Sequence, residues 1–468
     1  MKIKLLINKS TEEILTLPDT ESDFYKELGM RLTQIPAPAT VIVYTDSGTE
    51  AKYSLTKRSG TLLIQEGSNN ISFPSSDHYP TVYLTCINEK HNNYKFYKLE
   101  EENGECIATY GRIGTGRGEL YGERSCKYPL RMFWIKYYEK LQKGYIDQSD
   151  VYIVDEPENS SSDTKDVPQE EETVSYKLYQ KLMKLARRTV ETVCVSQHIT
   201  EEMVKRTKSL LLQLYEASTL DEFNQILKQI MTVNPRKILC VQNLLAKSTE
   251  QFEEIVDREE SLLSAMEAVA GHTLAKTQIN DGFAKNGILI KVATDKQKDK
   301  VLSKLDPSLQ RKVLNVYRVD SKLHKERFEK YCKQNHISEI KGLWHGSRNE
   351  NWVSIIKQGL LLNPNAIITG KMFGNGIYFA PGSTKSWNYT SGNGAYWTGG
   401  TSPVAFMGLY ATAYGNPLYV ACAHSYSKRS LSGKNCVHAK AGLQLRNDEI
   451  IFYDESAMVL QYLVEFAA

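Results

Sequence analysis

An acidic segment that contains proline and serine divides this chain into two parts. Residues 155–172 include Pro157, Pro168, three consecutive serines and a large excess of acidic over basic side chains. A segment of this composition has too few apolar side chains to be buried against a core, so it is expected to be a flexible linker. The 468 residues are therefore expected to fold as several units rather than around one core.

The overall composition indicates folded domains and does not by itself imply a strongly charged partner. Hydrophobic residues make up 41% of the chain and charged residues 24%, as in ordinary globular proteins. The net charge of +3 implies no polyanionic partner unless basic residues cluster locally. The eight cysteines form no Cys-x-x-Cys pair and no close Cys/His quartet, so the sequence predicts no metal site.

The sequence shows no secretory signal and no apolar stretch of about twenty residues. With no disulfide framework either, a location inside a cell and no membrane partner are expected. That location would be the nucleus in a eukaryote and the cytoplasm in a bacterium, although no nuclear-import cluster is evident.

Two units are predicted before the linker. Residues 1–76 contain short strand-like runs between Pro, Gly, Asn and Ser clusters, which predicts a small β-rich domain of unknown role. Residues 77–154 begin with two more strand-like runs and end in a helix-like segment at 130–141. Between them lies the run 110–118, which reads YGRIGTGRG.

After the linker the spacing of apolar residues becomes helical. Phe223 and Ile230 lie on one helical face behind a start at Ser218 that is similar to a capping box. Residues 173–271 are therefore predicted to be a helical bundle. From 272 to 468, strand-like runs alternate with loops rich in Gly, Tyr and Trp, where small-molecule sites are common. The expected fold class is α+β and multidomain.

Three short signatures follow one another in the last unit. They are residues 343–348 (LWHGSR), 373–380 (FGNGIYFA) with 385–389 (KSWNY), and 447–454 (NDEIIFYD). Their order and spacing resemble those of the poly(ADP-ribose) polymerase catalytic domain. The resemblance implies an ADP-ribosyltransferase fold of split, mainly antiparallel sheets, with NAD⁺ as substrate and no metal.

The resemblance implies a catalytic triad of His345, Tyr378 and Glu449. Because NAD⁺ already carries its leaving group as a cationic pyridinium, the protein need only orient the ribose and stabilise an oxocarbenium-like state. Glu449 would bind the 2′-hydroxyl of the nicotinamide ribose and polarise the incoming hydroxyl. Relatives that add a single ADP-ribose usually carry an apolar residue at this position, so a glutamate permits polymer formation.

On the nicotinamide side, the resemblance implies that the Gly346 backbone binds the carboxamide and that Ser386 completes these contacts. Tyr378 and Tyr389 would stack on the pyridinium ring, an arrangement worth about 1–2 kcal/mol once desolvated.

On the adenosine side, His345 would bind the ribose with Ser347 and Asn351 beside it. The chain carries Leu361 where the best-known members have an arginine that reaches the adenosine. The loop 391–401 also differs from the family pattern.

Each of these features is weak when it is taken alone. A histidine after a tryptophan is usually packed or on the surface, a Gly-x-Gly pair is usually a turn, and a carboxylate at a strand start usually faces solvent. All of them occur here in the family's order, with Ser386 and Tyr389 also in place. The combination favours the functional interpretation.

The run at 110–112 resembles the Trp-Gly-Arg motif of the family's WGR module, with Tyr in place of Trp. Tyrosine keeps a stacking face, and the surrounding cations are suited to phosphate. The residues implied in nucleic-acid binding are Tyr110, Arg112, Arg117, Arg124 and Lys127. The ordinary alternative is a solvated basic face beside a hairpin turn, and the glycine spacing does not fit a dinucleotide fold.

Residues 173–271 resemble the family's regulatory helical domain in position and helix content. The resemblance implies that this region shields the NAD⁺ pocket until a DNA end or break engages residues 77–154. The implied protein acceptors include the chain itself. Three alternatives stay open: a mono-ADP-ribosyltransferase acting on proteins or nucleic-acid ends, an inactive nucleic-acid-binding adaptor and, with least support, a Rossmann dehydrogenase.

Overall fold

A computed structural model describes nine stretches of the chain and divides it into two compact units. The described residues are 1–73, 78–114, 123–153, 173–195, 199–270, 282–362, 372–393, 402–442 and 445–468. The first unit comprises residues 1–159 and 231–245, and the second comprises 160–230 and 246–468. The predicted linker at 155–172 lies outside the described residues.

The first unit contains two five-stranded antiparallel sheets, ordered β2-β1-β3-β4-β5 and β10-β6-β7-β8-β9. The strands are β1 (Lys2–Ile7), β2 (Thr11–Thr16), β3 (Ala39–Thr45), β4 (Glu50–Arg58), β5 (Thr61–Asn69), β6 (Val82–Asn88), β7 (Asn93–Glu102), β8 (Glu105–Arg112), β9 (Arg124–Pro129) and β10 (Ile146–Asp147). The helices are α1 (Glu21–Gln34), α2 (Phe133–Gln142) and α3 (Ser149–Tyr152), with a 3₁₀ turn at Leu130–Met132.

The two sheets of the first unit contribute to one hydrophobic core. Buried side chains such as Val41 and Leu84, one from each sheet, belong to the same cluster, which also contains Phe133 of α2. Helices α1 and α2 pack against each other, and the indole nitrogen of Trp134 donates a hydrogen bond to Ser22 Oγ at 2.9 Å. Residues 1–73 therefore share their core with the strands that follow them.

The second unit begins with helices. The helices are α4 (Val174–Val193), α5 (Glu201–Glu216), α6 (Leu220–Val233) and α7 (Phe252–Ala270), with 3₁₀ turns at Val241–Asn243 and Thr249–Gln251. Helices α4 and α5 both pack against α7. Among the described residues, no helix has the length and apolar character needed to cross a membrane.

The rest of the second unit is built on two further sheets, ordered β11-β12-β19-β15-β13 and β14-β18-β17-β16. The strands are β11 (Ile288–Val292), β12 (Val313–Ser321), β13 (Ile340–Gly346), β14 (Ile377–Phe379), β15 (Val404–Ala413), β16 (Leu418–Val420), β17 (Val437–Ala439), β18 (Glu449–Phe452) and β19 (Met458–Ala467). All pairs are antiparallel except β16 with β17. The predicted mixture of helices with mainly antiparallel sheets is confirmed.

Short helices connect these strands. They are α8 (Asp295–Leu302), α9 (Pro307–Gln310), α10 (Lys322–Gln334), α11 (Trp352–Gln358) and α12 (Ser383–Trp387), with 3₁₀ turns at Ala284–Asn286, Asn349–Asn351, Ser391–Asn393, Lys428–Leu431 and Glu455–Ala457.

A buried carboxylate ties helix α4 to the central strand of the five-stranded sheet. Glu465 on β19 is fully buried and accepts hydrogen bonds from the Tyr317 hydroxyl at 2.9 Å and the Asn315 amide at 3.0 Å. Lys181 of α4 forms an ion pair with the same carboxylate. Because a buried carboxylate without a cation is costly, this ion pair holds α4 against the sheet.

The shared core of the first unit makes a stability prediction. Phe133 is fully buried in that core, so Phe133→Ala should lower the free energy of unfolding by about 3–5 kcal/mol. Hydrogen exchange should show β1–β5 and β6–β9 losing protection together. Ile14→Ala is the control, because Ile14 is 64% exposed and its loss should cost within about 0.5 kcal/mol. Unchanged protection of β1–β5 in the Phe133 variant would contradict a common core.

Candidate active site

Two backbone hydrogen bonds join the two C-terminal sheets where the predicted triad lies. Trp344 N donates to Ala380 O at 2.9 Å, and Ala380 N donates to Trp344 O at 3.0 Å. This bridge places His345 beside Tyr378, with His345 Nδ1 at 3.1 Å from the Tyr378 carbonyl oxygen. Because a carbonyl oxygen only accepts, Nδ1 carries a proton in this contact.

Gly346 and Ser386 lie so close together that any side chain at position 346 would clash with Ser386. A Cβ on Gly346 would lie 1.8 Å from the Ser386 carbonyl oxygen. The buried Ser386 hydroxyl donates to Trp344 O at 3.0 Å. The backbone of Gly346 and Ser386, the two residues predicted to bind the carboxamide, therefore lie directly against each other.

Tyr378 is held rigidly and stays neutral. Its hydroxyl donates to Gly374 O at 2.9 Å and accepts from Phe373 N at 3.2 Å. Desolvation, supplemented by the negative charge of Glu449, raises the pKa of Tyr378 well above its ordinary value. A neutral, fixed phenol is suited to stacking and not to acid–base chemistry near pH 7.

Glu449 begins β18 and is paired with Ala439 of β17. Its carboxylate forms an ion pair with Lys385, and the two side chains are only 11% and 15% exposed. Lys385 directly precedes Ser386 on α12, so the predicted catalytic carboxylate contacts the residue next to Ser386 in the chain. Lys385 was not among the predicted site residues, although it opens the run 385–389 that contains Ser386 and Tyr389.

The residues predicted for the adenosine side also lie together. The Asn351 amide donates to Ser347 Oγ at 2.9 Å. Leu361 is 51% exposed, whereas residues 394–401 of the predicted variable loop lie outside the described part of the chain.

Helices α4 and α7 pack against the 3₁₀ turn Asn349–Asn351 and against α11. On α11, Ser354 Oγ donates to Glu267 of α7 at 3.4 Å, and the Lys357 ammonium lies 5.3 Å from the ring centre of Tyr179 on α4. The helical region therefore contacts the element that carries Asn351.

Acidic side chains of α7 act on the nicotinamide side of the site. Tyr389 is more than half exposed, but desolvation and the negative charges of Glu449, Asp257 and Glu253 raise its pKa. Helix α7 thus adds negative charge near the predicted stacking ring.

In the first unit, Tyr110 lies in an aromatic cluster. Its ring stacks on that of Tyr97 with centroids 5.8 Å apart. The Lys140 ammonium lies 3.9 Å from the ring centre of Tyr97 and 5.9 Å from that of Tyr110. Burial, with the nearby Lys143, lowers the pKa of Lys140 to about 8. The sequence analysis did not single out Lys140, since its place beside these rings depends on α2 packing on the sheet.

The cations predicted to bind nucleic acid have different environments. Arg112 donates to Asn92 O at 2.5 Å and to Leu239 O at 3.1 Å. Lys127 forms an exposed ion pair with Glu105, and Arg124 is exposed. Arg117 lies outside the described residues.

Comparison with known proteins places the C-terminal part of the chain. Residues 295–443 match the family described as the poly(ADP-ribose) polymerase catalytic domain. The chain is 45% identical over 78 residues to poly [ADP-ribose] polymerase 2 of Homo sapiens, which is 16% of this chain and 12% of that protein. It is 35% identical over 127 residues to poly [ADP-ribose] polymerase 1 of Gallus gallus, covering 27% of this chain and 12% of that protein.

A longer match extends toward the N-terminus. Poly [ADP-ribose] polymerase 2 of Arabidopsis thaliana is 24% identical over 371 residues, which cover 66% of this chain and 57% of that protein. A match that covers 66% of the chain must include residues before position 272. Each of the three matches spans less than two thirds of the relative's own length.

The close approach of Gly346 predicts the effect of one methyl group. Gly346→Ala must displace the Ser386 backbone, which binds beside the carboxamide in this interpretation, so the affinity for nicotinamide should fall by about fivefold to 150-fold, equivalent to about 1–3 kcal/mol. Gly382→Ala is the matched control, because a Cβ there meets no atom within 4 Å. Isothermal titration of both variants with nicotinamide checks this, and equal affinities would contradict it.

Proposed function

The chain belongs to the poly(ADP-ribose) polymerase family and carries the catalytic domain of an NAD⁺ ADP-ribosyltransferase, and from this premise we propose that it transfers ADP-ribose from NAD⁺ to protein acceptors and releases nicotinamide. The observation that carries the proposal is the contact of the nearly buried Glu449 carboxylate with Lys385, the residue directly before Ser386.

The reaction breaks the bond between the nicotinamide nitrogen and the ribose anomeric carbon. The bonding electron pair leaves with nicotinamide, so positive charge develops on the ribose. Gly346 and Ser386 would hold the carboxamide, while Tyr378 and Tyr389 would stack on the ring. His345 would bind the adenosine ribose, with its ring held by the contact between Nδ1 and the Tyr378 carbonyl oxygen.

Glu449 would act on both reactants, the nicotinamide ribose of NAD⁺ and the incoming hydroxyl group. Its carboxylate would bind the 2′-hydroxyl of the nicotinamide ribose, oppose the positive charge at the anomeric carbon and accept the proton of the incoming hydroxyl. Lys385 occupies the carboxylate before substrate binds. The ion pair restrains the Glu449 side chain, so we assign Lys385 to holding the carboxylate in position.

We propose that the product is a polymer. A glutamate at 449 provides an acceptor for the proton of a ribose hydroxyl, which elongation of an ADP-ribose chain requires. An apolar residue at this position would provide none. The length of the product on a gel distinguishes chains from single additions.

We further propose that DNA ends activate the enzyme through residues 77–154. Tyr110 has a stacking face, while Arg124 is exposed and, with Lys140, could contact phosphate. Arg112 would have to exchange Leu239 O for a phosphate oxygen in order to contribute.

The coupling would run through residues 231–245. These belong to the first unit, whereas the helical segments that precede and follow them in the sequence belong to the second. The Tyr94 hydroxyl donates to Met231 O at 2.8 Å, and Arg236 N donates to the same hydroxyl at 2.8 Å. A Cβ on Gly114 would lie 2.6 Å from Ile238 O. Residues 77–154 contact residues 231–245 at several points. A ligand that moved Arg112 would therefore also strain α6 and α7, which precede and follow residues 231–245 in the sequence.

Glu449→Gln tests the activity. Purified protein with labelled NAD⁺ should form ladders of labelled protein that increase when short DNA duplexes are added. The variant keeps the size of the side chain and loses its charge, so the transfer rate should fall by about 10²–10³. Its affinity for nicotinamide should stay unchanged.

The other outcomes of the same assay separate the alternatives. A single labelled addition would favour a mono-transferase. Absence of label in the wild-type protein would favour an inactive adaptor. Equal incorporation with and without DNA would contradict activation by ends.

Lys181→Met tests the proposed restraint by the helical region. Removing the cation opposite the buried Glu465 should loosen α4, so the rate without DNA should rise by at least about fivefold. Lys184→Met is the control, because Lys184 is exposed on the same helix. Faster hydrogen exchange of α4 with an unchanged basal rate would show that the helices do not restrain the site.

A further inference from the structure

A series of hydrogen bonds lies beside Glu449. The proposed reaction does not use it. The Tyr414 hydroxyl is 2.5 Å from His438 Nδ1, and His438 Nε2 is 2.8 Å from Asp448 Oδ2. Tyr414 and His438 are 1% and 6% exposed. Asp448 is the residue directly before Glu449.

The donors and acceptors in this series of hydrogen bonds can be assigned by starting from Asp448. Desolvation would raise the pKa of Asp448, but hydrogen bonds from Ala441 N, Lys440 and His438 hold it well below its usual value. The carboxylate is therefore ionised and only accepts, so His438 Nε2 donates to it. Desolvation lowers the pKa of His438, and in the neutral ring Nδ1 accepts from the Tyr414 hydroxyl.

These hydrogen bonds connect the two C-terminal sheets. Tyr414 directly follows β15, which pairs with the strand that carries His345. His438 lies in β17, which pairs with the strand that begins at Glu449. The Tyr414 hydroxyl also lies 3.2 Å from that of Tyr419. Since a buried network with its polar atoms satisfied is rigid and specific, these bonds fix the spacing of the sheets at this end.

We propose that Tyr414, His438 and Asp448 are positioning residues that set where Glu449 stands relative to His345. The inference rests on the proposed transferase function. None of the three touches the substrate. Neighbouring residues of an extended chain project to opposite sides, so fixing the Asp448 carboxylate fixes the backbone from which Glu449 projects to the other side.

Two substitutions of His438 test the proposal in the full-length protein. His438→Leu removes both hydrogen bonds, and a displacement of Glu449 by about 1 Å should lower kcat for nicotinamide release by about tenfold to a hundredfold. The affinity for nicotinamide, which the carboxylate of Glu449 does not bind, should stay unchanged, because Gly346 and Ser386 are not affected. His438→Gln can still donate an amide N–H to Asp448, so it should recover most of kcat.

Two outcomes would overturn the proposal. One is a wild-type kcat in His438→Leu. The other is equal losses in the Leu and Gln variants, which would indicate that the site needs imidazole or has merely been destabilised.

Hydrogen exchange provides a readout that does not need activity. The amides of Glu449 and Ile450 should exchange faster in His438→Leu than in the Gln variant or the wild type, while those of β12 and β19 should be unchanged. Unchanged exchange at Glu449 would also overturn the proposal. Wild-type protein that released no nicotinamide would instead refute the transferase function, and the exchange measurement would still decide whether His438 positions Glu449.

Discussion

The paired backbone hydrogen bonds between Trp344 and Ala380 are the constraint on which the candidate site depends. They join one sheet to the other, so neighbours of the two residues meet: His345 reaches the Tyr378 carbonyl, and the Ser386 hydroxyl reaches the Trp344 carbonyl. Backbone hydrogen bonds are independent of side-chain type, which makes this junction insensitive to most substitutions. The site is therefore built at a fixed seam, and its side chains need only the right local geometry.

Shielded ion pairs then set the electrostatics around that seam. Lys385 faces Glu449, and Lys181 faces the fully buried Glu465. In both pairs a cation from a helix meets a carboxylate on a strand, because an isolated buried carboxylate would be costly. In our proposal the first pair positions a carboxylate for chemistry, whereas the second holds helix α4 in place. Similar physics thus serves catalysis at one position and regulation, in our proposal, at the other.

Local signals in the sequence predicted much of the secondary structure. The run at 130–141 is α2 with the 3₁₀ turn before it, and the apolar residues around Phe223 lie in α6. The helix start was misplaced by one residue: Thr219, and not Ser218, accepts from Glu222 N, at 3.3 Å. Both positions carry a hydroxyl and are followed three residues later by an acid, so the choice between them depends on how the preceding chain enters the helix.

The sequence by itself determined the family, the order of the signatures and the residue types of the site, because His345, Tyr378, Glu449 and Ser386 lie in short local runs. Only the tertiary structure decided what faces Glu449. Lys385 is 64 residues away along the chain, and His438 reaches Asp448 across a loop. It also decided that residues 1–73 share a core with the next sheet. Periodicity shows which face of an element is buried, but the partner of that face is chosen by packing between segments distant in sequence.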